Sequence, residues 1–263
     1  MMKELQPVSD ARDLSIKIFA DGADRDSIAK LYANPLIKGF TTNPTLMRKA
    51  GVEDYETFAR EVLEVVRDRP ISFEVFSDDF GEMEAQALQI SSWAENVYVK
   101  VPVTNTSGEP AAGVVRRLVD QGVKVNVTAL TTPAQVSEVL RWVAGGPSCY
   151  ISIFAGRIAD SGCDPLPLMT ESIEYAGAHP NVELIWASPR ELLNIVQADA
   201  IGCHIITVTH DLLEKIGSLG RDLDEFSLAT VKMFYEDGQA AGYSLRTAAR
   251  AADVDVMARA GSR

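Results

Sequence analysis

The sequence has few cysteines and no long apolar run. Its three cysteines, Cys149, Cys163 and Cys203, are odd in number and widely spaced. They therefore predict neither a disulfide framework nor a CxxC metal site. No apolar run approaches the roughly 18–20 residues that span a bilayer, and the start of the chain lacks the apolar segment of a secretory signal. We expect a protein of the reducing cytoplasm that has no membrane partner.

An excess of positive charge is also missing. The 263 residues include 37 acidic and 25 basic side chains, which give a formal net charge of −12. A field of this sign repels nucleic acids and anionic membranes, so we expect neither as a partner. An anionic small molecule stays possible, because a pocket can hold a few cations aimed at it.

Motifs for nucleotide phosphates and zinc are absent from the sequence as well. Neither GxGxxG nor GxxxxGK[ST] occurs, and the three histidines, His179, His204 and His210, have no ligand spacing. We therefore expect no metal site.

The chain does contain short β-branched runs that alternate with amphipathic stretches. The predicted strands are Ile16–Ala20, Gly39–Thr42, Ile71–Phe76, Val97–Val101, Val123–Thr128, Cys149–Phe154, Glu183–Ala187 and Ile205–Val208. The predicted helices are Asp24–Ala33, Asp54–Asp68, Gly81–Trp93, Pro110–Gln121, Pro133–Ala144, Pro165–Ala178, Arg190–Ala198, Asp211–Ile216 and Asp222–Asp237. Strands that alternate with helices predict parallel pairing through right-handed crossovers.

Eight such units predict an α/β fold, a (β/α)8 TIM barrel with an extra C-terminal helix. A doubly wound open sheet is the competing architecture, because alternation alone does not show that the sheet closes. No linker divides the chain, so we expect one domain over residues 1–263. The barrel would occupy about 16–218, and the C-terminal helix and tail about 222–263.

Two helix starts carry capping chemistry. Thr132-Pro133-Ala134-Gln135 combines an N-cap threonine, a first-turn proline and a glutamine at the third helical position. Ser188-Pro189-Arg190-Glu191 has the same pattern, which predicts that Ser188 caps the helix that follows it.

In a (β/α)8 barrel the functional site lies at the carboxyl ends of the strands. The predicted strands end in or lead to polar or ionisable residues at Asp21, Thr41, Asn43, Glu74, Lys100, Asn126, Thr128, Arg157, Ser188, Arg190 and Thr207. Polar residues are common at strand ends in any fold, so the set alone indicates a function only weakly.

Lys100 is the most informative of these residues, because the surrounding run Val97–Val103 is otherwise suited to a fully buried strand. Removal from water disfavours its ammonium form, and a neutral amine can attack a carbonyl to form a Schiff base. Asp21 and Glu74 would then transfer protons. Alternatively, Lys100 extends to solvent or pairs with either carboxylate.

Arg157, Ser188 and Arg190 are candidates for binding a phosphate, since guanidinium groups match its geometry and loops near strands seven and eight often hold one. For Ser188 the capping role is the alternative interpretation.

Several of these segments together resemble one known family. Gly39–Leu46 (GFTTNPTL) is similar to a signature of the transaldolase family, and Val99–Pro102 (VKVP) resembles its Schiff-base lysine motif. Four further segments agree in order and spacing: Phe73-Glu74-Val75, Asn126-Val127-Thr128, Phe154-Ala155-Gly156-Arg157 and Ala187-Ser188. The resemblance spans roughly Ile16 to Ile216.

The resemblance implies transfer of a dihydroxyacetone unit between sugar phosphates. Lys100 would attack the C2 carbonyl of a ketose phosphate such as sedoheptulose 7-phosphate or fructose 6-phosphate, and Asp21 would take the C4 hydroxyl proton. Glu74, with Thr128 and a water, would relay protons. The resemblance assigns substrate hydroxyls to Asn43 and Asn126, the pocket wall to Thr41 and Phe154, and the phosphate to Arg157, Ser188 and Arg190. It implies no metal or organic cofactor.

Three alternatives stay open. Fructose 6-phosphate aldolases of this family release free dihydroxyacetone and tend to have glutamine and tyrosine where this chain has Glu74 and Phe154, so these two residues favour a transaldolase. The substrate can also be a specialised biosynthetic sugar phosphate, or the barrel can bind sugar phosphates without catalysis. We expect a homo-oligomer whose size the sequence does not give.

The chain also departs from the family pattern at two positions. Gly22 follows Asp21 where the family more often has threonine or serine, and Pro189 precedes Arg190 where an aromatic or aliphatic residue is usual. The first change can alter the orientation of Asp21, and the second can shift Arg190.

Overall fold

The computed structural model describes residue 8 and residues 10–245. The chain divides into two compact units, the first ending at Leu219 and the second beginning at Gly220. The first unit contains all eight strands, and the second contains the long helix predicted near the C-terminus. The part of the predicted tail beyond residue 245 lies outside the described residues.

Eight parallel strands form a closed barrel in sequence order, and the last strand pairs with the first. The strands are β1 (Lys17–Asp21), β2 (Ile37–Thr41), β3 (Ile71–Glu74), β4 (Val97–Pro102), β5 (Val125–Leu130), β6 (Cys149–Ile153), β7 (Val182–Trp186) and β8 (Ile205–Thr209). Closure confirms the (β/α)8 prediction over the open sheet.

Helices alternate with the strands along the chain of the first unit, and one long helix lies in the second unit. They are α1 (Arg25–Tyr32), α2 (Pro44–Lys49), α3 (Tyr55–Val65), α4 (Phe80–Ser91), α5 (Ala112–Asp120), α6 (Pro133–Val143), α7 (Ala155–Asp160), α8 (Leu166–Ala176), α9 (Leu193–Ala200), α10 (His210–Leu213) and α11 (Leu223–Ala240). Two short 3-10 helices cover Ala11–Asp13 and Ile216–Ser218. The sequence did not predict α2 and α7, which both begin within three residues of a strand end.

Inside the barrel, alternating side chains separate an apolar floor from a polar mouth. Phe19, Tyr98 and Tyr150 fill the floor; the tyrosine rings stack with centroids 4.0 Å apart, and Phe19 meets Tyr150 edge-on. Gly39 makes room for Phe19, since a Cβ there would lie 2.5 Å from its ring. Side chains two positions further along point to the same face. Lys100 thus stands one layer above Tyr98, at the mouth.

The two predicted helix caps have different outcomes. The capping box of Thr132 and Gln135 at the start of α6 is confirmed. The prediction for Ser188 is wrong, because α9 begins only at Leu193 and has no side-chain cap. Ser188 adopts a left-handed conformation with φ of 58°, which cannot start a right-handed helix. Instead, Asn194 Oδ1 accepts hydrogen bonds from the backbone N–H groups of Arg190 and Glu191.

Among the helices of the described part of the chain, none combines the length and apolar character needed to cross a membrane.

Candidate active site

A cavity of about 340 Å³ opens at the carboxyl ends of the strands. Nine of the eleven predicted site residues line it: Asp21, Thr41, Asn43, Glu74, Lys100, Thr128, Phe154, Arg157 and Ser188. Its volume lies within the range of small-molecule sites, and its place in the barrel is where such sites form.

Lys100 projects into this cavity from β4 and is 7% exposed. Its Nζ donates to the backbone oxygen of Thr42 at 2.9 Å and lies 3.1 Å from Glu74 Oε2. Glu74 is the direct neighbour of Lys100 in the pairing of β3 with β4. The ion pair considered from the sequence is therefore present, and the amine still faces the cavity.

Asp21 is the second carboxylate of the site. Its Oδ1 accepts from the Thr41 hydroxyl at 2.8 Å, and its Oδ2 accepts from Asn43 Nδ2 at 3.3 Å. Burial raises the pKa of Asp21 above its ordinary value, while Lys100 and the two hydrogen bonds act in the opposite direction. These bonds, with the N–H of Gly22 donating to Thr41 oxygen, fix the loop in spite of the glycine.

Thr128 lies on the cavity wall two positions after Asn126, next to an irregularity in β5. The pairing of β5 with β6 shifts between Val127 and Leu130, and Ala129 has a φ of 69°. Thr128 is 2% exposed, and its hydroxyl has no hydrogen-bond partner among the described residues. A buried hydroxyl without a partner is costly, so this one is available to a ligand or a water molecule.

Asn126 lies below the cavity rather than on its wall. It is fully buried, its Nδ2 donates to the Ser72 hydroxyl at 3.0 Å, and its Oδ1 accepts from the Ser152 hydroxyl at 2.8 Å. Ser152 is the member of this network that lines the cavity. Two serine hydroxyls therefore fix the orientation of the Asn126 amide, and its contact with substrate stays a prediction.

The candidate phosphate residues are divided between two environments. Arg157 and Ser188 line the cavity, whereas Arg190 does not. The guanidinium of Arg190 forms a two-pronged pair with Asp160, in which Nε donates to Oδ1 at 2.9 Å. Gly156 lies close to both Ser188 and Arg190, since a Cβ at this position would fall 1.5 Å from the backbone oxygen of Ser188 and 3.3 Å from Arg190 Cζ.

The sequence interpretation gave no role to two polar residues of the cavity wall, Ser152 and Thr207. Each lies two positions after a residue of the barrel floor, Tyr150 and Ile205. Counting by two from the floor would have identified Ser152, and it puts Thr207, already noted at its strand end, on the same wall, because alternate residues of a strand share a face.

No cluster of three or more His, Cys, Asp or Glu residues suited to a metal ion occurs within the described ranges. The groups that line the mouth include one amine, one guanidinium, one side-chain amide, two carboxylates and several hydroxyls.

Comparison with known proteins agrees with this arrangement. A family model described as Transaldolase/Fructose-6-phosphate aldolase matches residues 18–258. The chain belongs to this family. A protein named Probable transaldolase from Streptococcus equi subsp. zooepidemicus (strain MGCS10565) is 36% identical over 227 residues, covering 84% of this chain and 97% of that protein. Another of the same name, from Thermoanaerobacter sp. (strain X514), is 32% identical over 231 residues, with coverages of 88% and 100%.

A solved structure shares the fold alone. The crystal structure of dihydrodipicolinate synthase from Rhodopseudomonas palustris superposes with a TM-score of 0.53 at 12% identity, covering 89% of this chain and 82% of that one. The family match and the named relatives support a transaldolase-type enzyme.

Proposed function

We propose that this protein is a transaldolase that carries a dihydroxyacetone unit from a ketose phosphate to an aldose phosphate on Lys100. The observation that carries the proposal is the Lys100 amine, 7% exposed at a cavity that Asp21 and Glu74 also line. An amine that has given its proton to a neighbouring group can attack a carbonyl, and adjacent carboxylates can take up and return that proton.

In the first stage, the Lys100 nitrogen attacks C2 of the donor and the carbonyl electron pair moves to oxygen. The resulting carbinolamine takes up a proton and loses water, which leaves an iminium ion. Glu74, whose Oε2 lies 3.1 Å from Nζ, is placed to exchange these protons. The Thr128 hydroxyl, which has no protein partner among the described residues, can hold the departing water.

In the second stage, Asp21 takes the proton of the C4 hydroxyl. The C3–C4 bond breaks, its electron pair moves toward the iminium nitrogen, and an aldose phosphate leaves. The three-carbon unit stays on Lys100 as an enamine. Addition to the aldehyde carbon of an acceptor, return of the proton from Asp21 and hydrolysis of the new iminium release the product ketose.

The phosphate groups are bound at the other side of the cavity in this proposal. Arg157 is the cation on that wall, and Ser188 lies beside it. The Arg157 guanidinium offers paired N–H donors that suit phosphate oxygens. Arg190 would contribute through its position behind Ser188 and its pair with Asp160.

The alternative within the family is an aldolase that releases free dihydroxyacetone. Glu74 and Phe154, both on the cavity wall, favour transfer, since the resembling aldolases tend to have glutamine and tyrosine there. An acidic residue beside the amine supplies a proton donor and acceptor that glutamine lacks.

Turnover with and without an acceptor tests this proposal. Fructose 6-phosphate is supplied alone and with a panel of aldose phosphates that includes erythrose 4-phosphate. Glyceraldehyde 3-phosphate, the aldose that this donor itself releases, is tested as an acceptor with sedoheptulose 7-phosphate instead. We expect fast donor consumption only when an acceptor is present. The matched comparison is the Glu74→Gln/Phe154→Tyr double variant, in which we expect more free dihydroxyacetone. Fast release of dihydroxyacetone by the wild type without acceptor would contradict transfer as its function.

A further inference from the structure

Two buried threonine hydroxyls connect strand β8 to the carboxylate of Asp21. The Thr207 hydroxyl is hydrogen-bonded to the Thr41 hydroxyl, which lies 2.8 Å from Asp21 Oδ1. Thr207 is 6% exposed and Thr41 is 3% exposed. The three residues come from neighbouring strands β8, β2 and β1, so the connection is part of the barrel wall rather than of a loop.

The direction of these hydrogen bonds follows from the number of protons. An ionised carboxylate can only accept, and each hydroxyl has one proton to donate. Thr41 therefore donates to Asp21, and its oxygen accepts the proton of Thr207. When Asp21 is ionised, Thr207 therefore donates to Thr41 and Thr41 donates to Asp21, and no other arrangement of the protons is possible.

We propose that Thr207 is a positioning residue for the general base, acting through the hydroxyl of Thr41. By donating to Thr41, it turns the Thr41 proton toward Asp21 Oδ1 and polarises that bond. Oδ2, whose contact with Asn43 Nδ2 is longer at 3.3 Å, is left as the oxygen that takes the substrate proton. The inference rests on the proposed function, since it requires Asp21 to act as the base.

The pKa of Asp21 is sensitive to the hydrogen bond from Thr41, because the groups around the carboxylate act on it in opposite directions. Burial is the largest influence and raises its pKa, and Glu74 on β3 acts in the same direction. Lys100 on β4, with the hydrogen bonds from Thr41 and Asn43, favours the ionised form. Any weakening of the Thr41 bond therefore leaves burial less opposed, and the carboxylate then ionises at higher pH.

The test compares Thr207→Val with Thr207→Ser. Valine keeps the volume and removes the hydroxyl, whereas serine keeps the hydroxyl. The pH profile of kcat/KM reports the free enzyme's base, so we expect its acidic limb to move up by about half a pH unit or more in Thr207→Val. Its plateau kcat should fall roughly three- to tenfold. Thr207→Ser should keep the wild-type limb.

A structural role alone would lower the amount of folded enzyme without moving the limb. An unmoved limb in Thr207→Val, or an equal shift in both variants, would overturn the inference. Should Thr207→Val not fold, Thr207→Ala removes the same hydroxyl, and the same upward shift is expected.

Reductive trapping by borohydride separates this inference from the proposed function. In Thr207→Val, borohydride should still trap the donor on Lys100, because the Thr207 hydroxyl acts on Asp21 and not on the amine. Absence of trapping in the wild type would defeat the proposed function and this inference with it. Trapping in both proteins with an unmoved pH limb would defeat the inference alone.

Discussion

At the scale of single residues, the proposed base Asp21 carries an energetic cost because its carboxyl group is buried. Its pKa in the folded state is raised above the ordinary value of 3.8, chiefly by burial. For a carboxyl group with a raised pKa, the folded state binds the proton more tightly than the unfolded chain. Its contribution to stability is therefore fully present below the unfolded pKa and is lost as pH rises through the folded pKa.

We predict from this sign that Asp21→Asn abolishes turnover and raises thermal stability above neutral pH. The gain in Tm should be roughly 2–4 °C near pH 8 and should shrink as the pH falls, because protonation of Asp21 removes the cost of burying its charge. Asp26→Asn, at an exposed aspartate of α1, is the control and should show no such pH-dependent gain. Thermal unfolding monitored by circular dichroism gives the comparison, and a variant less stable at every pH would contradict it.

The two arginines should also differ. Arg157→Ala is expected to raise KM for phosphorylated ketoses by about 10- to 100-fold with little effect on unphosphorylated ones, because a charged hydrogen-bond donor is lost from the cavity wall. Arg190→Ala should have the smaller effect, since its guanidinium binds Asp160. Steady-state kinetics with both substrate types gives the answer. Equal effects of Arg157→Ala on both types would refute its phosphate role.

These residues also mark the limit of what the sequence could predict. The positions of Lys100, Glu74 and Asp21 at the mouth could be predicted, because the carboxyl ends of all eight parallel strands meet at the same end of a closed barrel. The surroundings of Asn126 and Arg190 could not, because Ser72, Ser152 and Asp160 bind them from distant parts of the chain.

At the scale of elements, the strands could be predicted from the sequence, whereas the two short helices after β2 and β6 could not. Eight β-branched runs were sufficient to predict the strands, because buried parallel strands are continuous apolar segments. Helices α2 and α7 have six residues each, too few to show an amphipathic period. The N-cap residue of helix α7, Phe154, also provides no side-chain hydrogen bond, so no start signal marks the helix.

Gly156 in α7 is expected to be essential to the packing of this helix against the loop after β7. An alanine Cβ would lie 1.5 Å from the backbone oxygen of Ser188, which cannot move aside as a side chain can. We predict that Gly156→Ala lowers the free energy of unfolding by about 1–3 kcal/mol or more and raises KM for phosphorylated donors, because Arg157 and Ser188 both adjoin it.

Gly217→Ala is the matched control, since a Cβ at that position meets nothing within 4 Å. Urea denaturation of both variants measures the difference. Equal stability of Gly156→Ala and Gly217→Ala would show that the close approach is not maintained in solution.

At the scale of the whole molecule, helix α11 of the second unit has an unusual surface. Within that unit it carries seven apolar side chains that are not buried: Leu223, Phe226, Leu228, Val231, Met233, Phe234 and Tyr235. Clustered apolar side chains of this kind are typical of surfaces that pack against other protein. The homo-oligomer expected from the sequence is one arrangement that would cover them, and it stays a prediction.

Light scattering after size-exclusion chromatography tests that expectation. We predict a mass above the 28.6 kDa of one chain at micromolar concentration and a lower mass for the Val231→Asp/Phe234→Asp variant. A Lys232→Glu variant alters charge on the same helix without removing an apolar side chain, and it should leave the mass unchanged. A wild-type protein of monomer mass would contradict the prediction.

The net charge of −12 is a property of the whole molecule that bears on how it can bind an anion. Among the residues that line the active-site cavity, the cations are Lys100 and Arg157. Under the proposed function, an acidic protein would bind an anionic sugar phosphate through locally placed positive charge, which Arg157 supplies on the cavity wall.

The covalent link between Lys100 and the donor is the central claim, and reduction with borohydride tests it most directly. Wild-type protein and Lys100→Ala are incubated with fructose 6-phosphate, reduced, digested and mapped by mass spectrometry, with circular dichroism to confirm that the variant is folded. We predict a reduced three-carbon adduct on the peptide that contains Lys100 and none in the folded variant. An adduct on a different side chain, or an unmodified wild-type chain, would contradict the account.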